Sequence, residues 1–239
     1  MPTPTIPNGE EHFFPIIYEG NSGGQRVGKF VPFDDSSGGT IANSVIFNSA
    51  DSAELTKTLS SSGNLKKFTI SCWVKRGKFS GTFQALVVGG ASSGSGSGIF
   101  FNASEQLYVF LFGVTFETNR TLEDTSKWYH ILVSVDTSNS TAGDRIKIYI
   151  DGDRVTSFAT ESNPSLNADE TLFNVTGKMI KIGTHPNPGY YYLDGYMAEV
   201  NFIDGQSLLP ASFGVVDSST GRWIPAQVKP HPTTTTTYT

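Results

Sequence analysis

Apolar and polar positions alternate along much of this chain, and the alternation is sharpest in residues 127–158, KWYHILVSVDTSNSTAGDRIKIYIDGDRVTSF. In the first half Tyr129, Ile131, Val133 and Val135 take one face and Trp128, His130, Leu132, Ser134 and Asp136 the other, the period-2 pattern of a β-strand. In the second, Ile146, Ile148 and Ile150 alternate with Arg145, Lys147, Tyr149 and Asp151, a β-branched stripe backed by an amphipathic face. Asp151 and Gly152 tolerate positive φ, so a type I′ turn returns the chain into a third run, residues 154–158. The three runs predict an antiparallel meander.

The same period recurs on both sides. Residues 44–48 form a short strand, and after the polar stretch 49–67 the run 68–75 points Phe68, Ile70, Cys72 and Val74 into a core between sheets, with Trp73 packing from the other face. Residues 83–88 are a further strand. GGASSGSGSG, residues 89–98, reads as a polar flexible loop; a phosphate loop would need a Lys-Ser/Thr ending and a following helix, and has neither. Short strands follow at 99–102, 106–112, 114–117 and 178–183, the last preceded by a polar loop at 162–171. In the run 190–204, Tyr196, Ala198, Val200 and Phe202 alternate with Met197, Glu199 and Asn201. About ten to twelve strands at this turn spacing predict an all-β chain, a two-sheet antiparallel jelly-roll sandwich.

The flanks differ. Residues 1–40 carry Pro2, Pro4, Pro7, Pro15 and Pro32 with paired glycines and no sustained period, the signature of an extended N-terminal arm. The arm holds an apolar clump, Phe13, Phe14, Ile16, Ile17 and Tyr18, which either covers the sandwich or docks on a neighbouring subunit. Residues 206–239 form a C-terminal arm with Leu208, Leu209, Phe213 and Trp223, ending in PTTTTTYT. Neither arm has the alternation for regular strands, so both are expected to bury their large side chains in assembly contacts, within a homo-oligomer or against partner proteins. The organisation is therefore arm 1–40, sandwich 41–205 and arm 206–239.

Composition fits this picture. The chain has 239 residues, 25 of them glycine, with 12% aromatic and only 16% charged residues. Its net charge of −5 and the absence of Lys or Arg clusters exclude a phosphate-tracking nucleic-acid surface. No run approaches the roughly 18 apolar residues of a membrane span, and the N-terminus has neither the basic start nor the apolar stretch of a signal peptide. Cys72 is the single cysteine, placed for a buried inert thiol and unable to form an internal disulfide or a zinc cluster.

Candidate chemistry is sparse. Most carboxylates sit beside turn residues, as in Asp34-Asp35, Glu123-Asp124, Asp151-Gly152-Asp153, Asp194-Gly195 and Asp204-Gly205, which is turn chemistry. His12, His130, His185 and His231 are too scattered for zinc or a catalytic triad. Asn102, Asn119, Asn139 and Asn174 open N-glycosylation patterns of the kind that arise by chance in a chain rich in Ser, Thr and Asn. The most suggestive surface stretch is HPNPGYYY, where prolines hold His185 beside Tyr190, Tyr191 and Tyr192. At least one ring must point away from the core, to contact a sugar, to form an interface or own-chain packing, or to stand as an ordinary exposed aromatic.

The Trp-Tyr-His start, the β-branched run, IKIYIDGDRV, SVIF, FTISCWVKR and IGTHPNPGYYYLDGYMAEVNFIDG resemble the laminin G-like branch of the concanavalin A-like lectin/glucanase superfamily. The resemblance covers roughly residues 41–205 and implies the jelly-roll sandwich. Its hydrolases carry a Glu-x-Asp-x-x-Glu strand that this chain lacks, which argues against an enzyme. Its calcium-binding members make Asp136, Asp144, Asp151 and Asp153 candidate ligands if their loops converge; no metal or other cofactor is assigned. GGQRVGKFVPFDD with TIANSVIF, and MAEVNFIDGQSLLPASFG with TGRWIP, resemble structural proteins of marine tailed bacteriophages. That resemblance implies a non-enzymatic virion protein that decorates the capsid beside the major capsid protein. The alternative is a tail-fibre protein recognising a host cell-surface glycan. A lectin-like sandwich with neither signal peptide nor disulfides also suits a particle assembled inside a cell.

Overall fold

The computed structural model describes Ile41, residues 43–226 and the backbone of residues 235–238. The chain runs through β1 (Val45–Phe47), β2 (Leu55–Thr58), β3 (Lys67–Arg76), β4 (Gln84–Gly90), β5 (Gly96–Phe101), β6 (Gln106–Leu111), β7 (Val114–Thr121) and β8 (Tyr129–Asp136). It continues through β9 (Ile146–Ile150), β10 (Asp153–Arg154), β11 (Phe158–Glu161), β12 (Met179–Ile182), β13 (Gly195–Asp204), β14 (Gly214–Val216), β15 (Trp223–Pro225) and β16 (Thr235–Tyr238). One sheet has the order β1-β13-β3-β8-β9-β10, with β16 also pairing β13; the other has the order β11-β7-β6-β5-β4-β12-β2. All pairings within the two sheets are antiparallel, which makes the two-sheet sandwich that the alternation predicts.

The core lies where the period-2 pattern places it. β3 and β8 pair in a register that sets Ile70 opposite Val133 and Cys72 opposite Ile131. These four, with Phe68, Val74, Ile146 and Ile148, meet Leu86, Ile99, Phe101, Leu107, Val109 and Phe116 of the other sheet in one cluster. Burial pushes the Cys72 thiol up to about 12. The meander turn also forms as read, with Asp151 at φ 54° and Gly152 at φ 87°.

Several expectations are corrected. GGASSGSGSG is a loop only at residues 91–95: Gly89 and Gly90 end β4, Gly96 begins β5, and they pair as Gly89 with Ser97 and Gly90 with Gly96. The polar stretch 49–67 contains β2, which pairs β12 at the sheet edge. The third run of the meander splits into β10 and β11, which belong to different sheets. Alternation in β13 breaks at an irregularity between Ala198 and Asn201, with Glu199 at φ 46°. Met197 and Val200 therefore face the core, while Ile203 faces outward against Phe213.

The C-terminal segment is more than an arm without strands. β14 and β15 form a hairpin, and β16 adds to β13 at Val200–Ile203 on the edge that β1 begins. Phe213, 2% exposed, packs on Leu132, Tyr149 and Ile203 with Leu208 beside it. The half-buried Trp223 donates from Nε1 to Nδ1 of His130 at 3.1 Å. His130 is fully buried, 2.9 Å from the Ser71 hydroxyl through Nε2 and 4.9 Å from the Trp73 ring. A Cβ on Gly214 would lie 2.3 Å from the Trp223 ring, so the absence of a side chain there lets the indole seat. The amphipathic outer face expected of β8 and β9 is thus roofed by the chain's own tail. Leu209 alone of the four named residues stays open, at 54% exposure. Phe13, Phe14, Ile16 and Ile17 lie outside the described residues.

Candidate functional site

The loop between β12 and β13 folds back over the outer face of the second sheet. Thr184 Oγ1 donates to the Tyr190 carbonyl at 3.0 Å, and the Ala85 N–H donates to the Tyr191 carbonyl at 2.8 Å, which pins the loop to β4. Tyr191 sits at φ 60°, a left-handed conformation that is strained for a bulky residue. Outliers of this kind persist where the surroundings over-determine them, here through its carbonyl bond and its ring contacts.

Those contacts build an aromatic bed. The Tyr191 ring lies 5.3 Å from Phe83, 6.3 Å from Phe100, 5.5 Å from His185 and 5.8 Å from Tyr190. Phe83 meets Tyr108 edge to face at 5.0 Å, and strand register sets Phe100 opposite Tyr108. Together with Phe110, Asn187, Gly94 and Ser95 of the hairpin turn and Gly96 at the start of β5, these residues line an open depression of about 460 Å³. This falls in the size range of small-ligand sites, roughly 300–1,000 Å³. His185, Tyr190 and Tyr191 are therefore brought together, whereas Tyr192 is half-buried and does not line the depression.

Glycine makes the floor. A Cβ on Gly96 would lie 2.6 Å from His185 Nε2 and 2.7 Å from Val88 Cγ1, and one on Gly90 would lie 3.1 Å from the Pro186 ring. Gly96 thus gives the histidine a side-chain-free seat, and Gly98 allows β5 to approach the backbone of Val87 and Val88 closely, so these glycines mark close approach rather than flexibility. The missed lining residues Phe83, Phe100, Tyr108 and Phe110 had one sequence signal. Phe100, Tyr108 and Phe110 occupy the opposite alternation from the core residues Ile99, Phe101, Leu107 and Val109.

Charge is absent from this bed. Among the described residues that line it, none is Asp, Glu, Lys or Arg. His185 accepts the Asn187 N–H at Nδ1, 3.0 Å, which leaves the proton of the neutral ring on Nε2 as a donor. Burial, and then the nearby Lys181, lower its pKa and keep the ring neutral. Lys181 itself is held by both oxygens of Glu54, at 2.8 and 2.9 Å. Such a surface can stack on an apolar ligand face and offer a few neutral hydrogen bonds, but it has no carboxylate pair for acid–base work.

The other candidates are dispersed. Asp136 pairs with Lys67 at 2.8 Å, Asp144 with Arg154 at 2.8 Å and Asp151 with Lys127 at 3.0 Å, while Asp153 is exposed; they do not converge. Among the described residues no group of three or more His, Cys, Asp or Glu is placed to hold a metal ion. The buried Glu170 accepts the Phe112 N–H at 2.6 Å and the Thr171 and Leu172 N–H groups at 2.9 and 3.0 Å, a structural anchor. Asn102 and Asn174 are buried, with side-chain amides bonded to Gln106 and Asp204.

Residues 36–210 match the family model described as the concanavalin A-like lectin/glucanases superfamily. No curated protein matches the sequence. Among solved structures the chain is similar to the carbohydrate-binding module CBM40 of the Ruminococcus gnavus IT-sialidase, at 15% identity and a TM-score of 0.44 over 64% of this chain and 93% of that one. It is also similar to domains LG4-5 of the mouse laminin α1 chain, at 12% identity and a TM-score of 0.45 over 69% of this chain and 41% of that one. A third is the heptameric SAP-like pentraxin of Limulus polyphemus, at 11% identity and a TM-score of 0.43 over 62% and 68%. With its two antiparallel sheets and a family match over most of its length, the chain belongs to the concanavalin A-like lectin/glucanases superfamily.

Proposed function

We propose that the chain is a non-enzymatic glycan-binding module carried on the surface of a bacteriophage particle, where it decorates the capsid. The observation that carries the glycan reading is the depression on β4–β6, where Tyr190, Tyr191, Phe83 and Tyr108 present ring surface beside the neutral donor of His185. Aromatic rings with a polar tip suit a ligand that is apolar on one face and hydroxylated at its rim. The missing Glu-x-Asp-x-x-Glu run and the carboxylate-free lining support a binding rather than a hydrolytic role. Placement on a particle rests on the flanking sequences that resemble marine phage structural proteins. The glycan-facing depression also favours a second placement, on a tail fibre that recognises host surface glycan.

The test is an oligosaccharide array probed with the full chain, followed by calorimetry on the hits. Tyr190 is 51% exposed, so Tyr190→Ala should leave the unfolding midpoint unchanged. It should weaken binding by up to about tenfold, the equivalent of an aromatic contact worth about 0.5–1.5 kcal/mol. An array on which no glycan is retained defeats the binding reading. Immunogold labelling of purified particles decides between capsid and tail, and absence of label from particles defeats the placement.

A further inference from the structure

Building on the glycan reading of the depression, we infer that its ligand is an uncharged sugar, a neutral mono- or disaccharide end whose pyranose face lies on the rings, and not a sialylated, uronic or sulfated one. Three observations converge on this. The described lining residues include no cationic side chain to meet a carboxylate or sulfate, and recognition of such groups ordinarily recruits Arg or Lys. Lys181, whose charge acts on His185, is buried on β12 and engaged by both oxygens of Glu54, so its charge is already met inside the protein. The groups that do face the depression are neutral: the Nε2–H of His185, the Asn187 amide and the hydroxyls of Ser95 and Tyr190. An anionic sugar placed there would surrender hydration without gaining a counter-charge, and the chain's net charge of −5 would oppose its approach. The glycine floor adds a shape requirement. With no Cβ at Gly96 the His185 ring seats directly on β5, which sets the height of its Nε2 donor, and around Gly94 the space is open.

The experiment compares matched pairs on the full chain by calorimetry: lactose with α2,3-sialyllactose, and laminaribiose and cellobiose with their uronic or sulfated counterparts. Neutral members should bind, and the added carboxylate or sulfate should weaken binding at least about tenfold, the cost of about 1.4 kcal/mol. Equal or tighter binding of the acidic members overturns the inference while leaving the glycan reading intact. Binding of neither class overturns the glycan reading itself. A second variant tests the cause: Ser95 is exposed on the hairpin turn, and Ser95→Arg places a cation at the rim. The variant should narrow or reverse the neutral preference, and an unchanged preference in a folded Ser95→Arg protein counts against charge as its origin.

Discussion

The two sheets both carry large apolar side chains on their outer faces, and the molecule finishes those faces in opposite ways. On the sheet built on β3, β8 and β13, the outward Leu132, Tyr149, Ile203 and His130 are roofed by Phe213 and Trp223 from the tail. On the sheet built on β4, β5 and β6, the outward Phe83, Phe100, Tyr108 and Tyr191 pack on one another and leave an open depression. Burying such a side chain contributes roughly 1.5–3 kcal/mol, which is why a monomer seldom leaves a cluster of them uncovered without a use. The contrast separates two kinds of aromatic residue: those that the tail covers serve stability, and those left open among the described residues are the ones the proposed ligand would meet.

The largest effect expected from this division lies on the roofed side. Burial pushes His130 down to about 3 from an ordinary 6.5. The unfolded chain therefore takes up a proton there as pH falls below about 6.5, while the folded one does not until near its own lower value. Stability contributed by the neutral ring is intact above that window and falls through it, by as much as about 1.4 kcal/mol per pH unit. Urea midpoints taken stepwise through the window should drop steeply, and His130→Gln should flatten the slope; identical slopes would remove His130 from the account. His185, lowered by burial and by Lys181, adds in the same direction.

Phe213→Ala opens the roof directly. Loss of a fully buried Phe costs about 3–5 kcal/mol, to be read as a lowered urea midpoint, while sugar binding at the other sheet stays at the wild-type level. A variant that kept its stability but lost binding would invert the assignment of the two faces. Gly96→Ala tests the open side with a smaller effect. The new methyl meets His185 Nε2 and Val88 within 2.7 Å, so it should cost about 1–3 kcal/mol in stability and lower sugar affinity by displacing the imidazole. Wild-type affinity in that variant would show that the glycine floor is irrelevant to the ligand.

How legible these faces are in the sequence depends on how far apart their residues lie. The sandwich core follows from alternation within single strands, so Ile70, Val74, Ile131 and Val133 are found from local pattern alone. His185, Tyr190 and Tyr191 are near neighbours in the chain, and one loop presents them together. Phe83, Phe100 and Tyr108 come from separate segments and meet through strand register, such as Phe100 opposite Tyr108, which no local pattern encodes. The same holds for Trp223 and His130, 93 positions apart in sequence yet joined by one hydrogen bond. GGASSGSGSG misleads for a different reason: glycine signals both looseness and close approach, and only the overlying His185 and Pro186 show which applies.

Cys72 gives this molecule a built-in clock. It is the one thiol in the chain, fully enclosed between the sheets and held protonated by burial, so a thiol-specific reagent in water has nothing to attack while the sandwich is closed. Labelling can proceed only through openings that part β3 from the facing sheet. When labelling is fast relative to reclosing, its rate is the opening rate; when slow, it reports the equilibrium between closed and open forms. Mass spectrometry of a single added group would follow the breathing of the whole core without any engineered probe, and with bound sugar it would register how far occupancy of one face steadies the space between both.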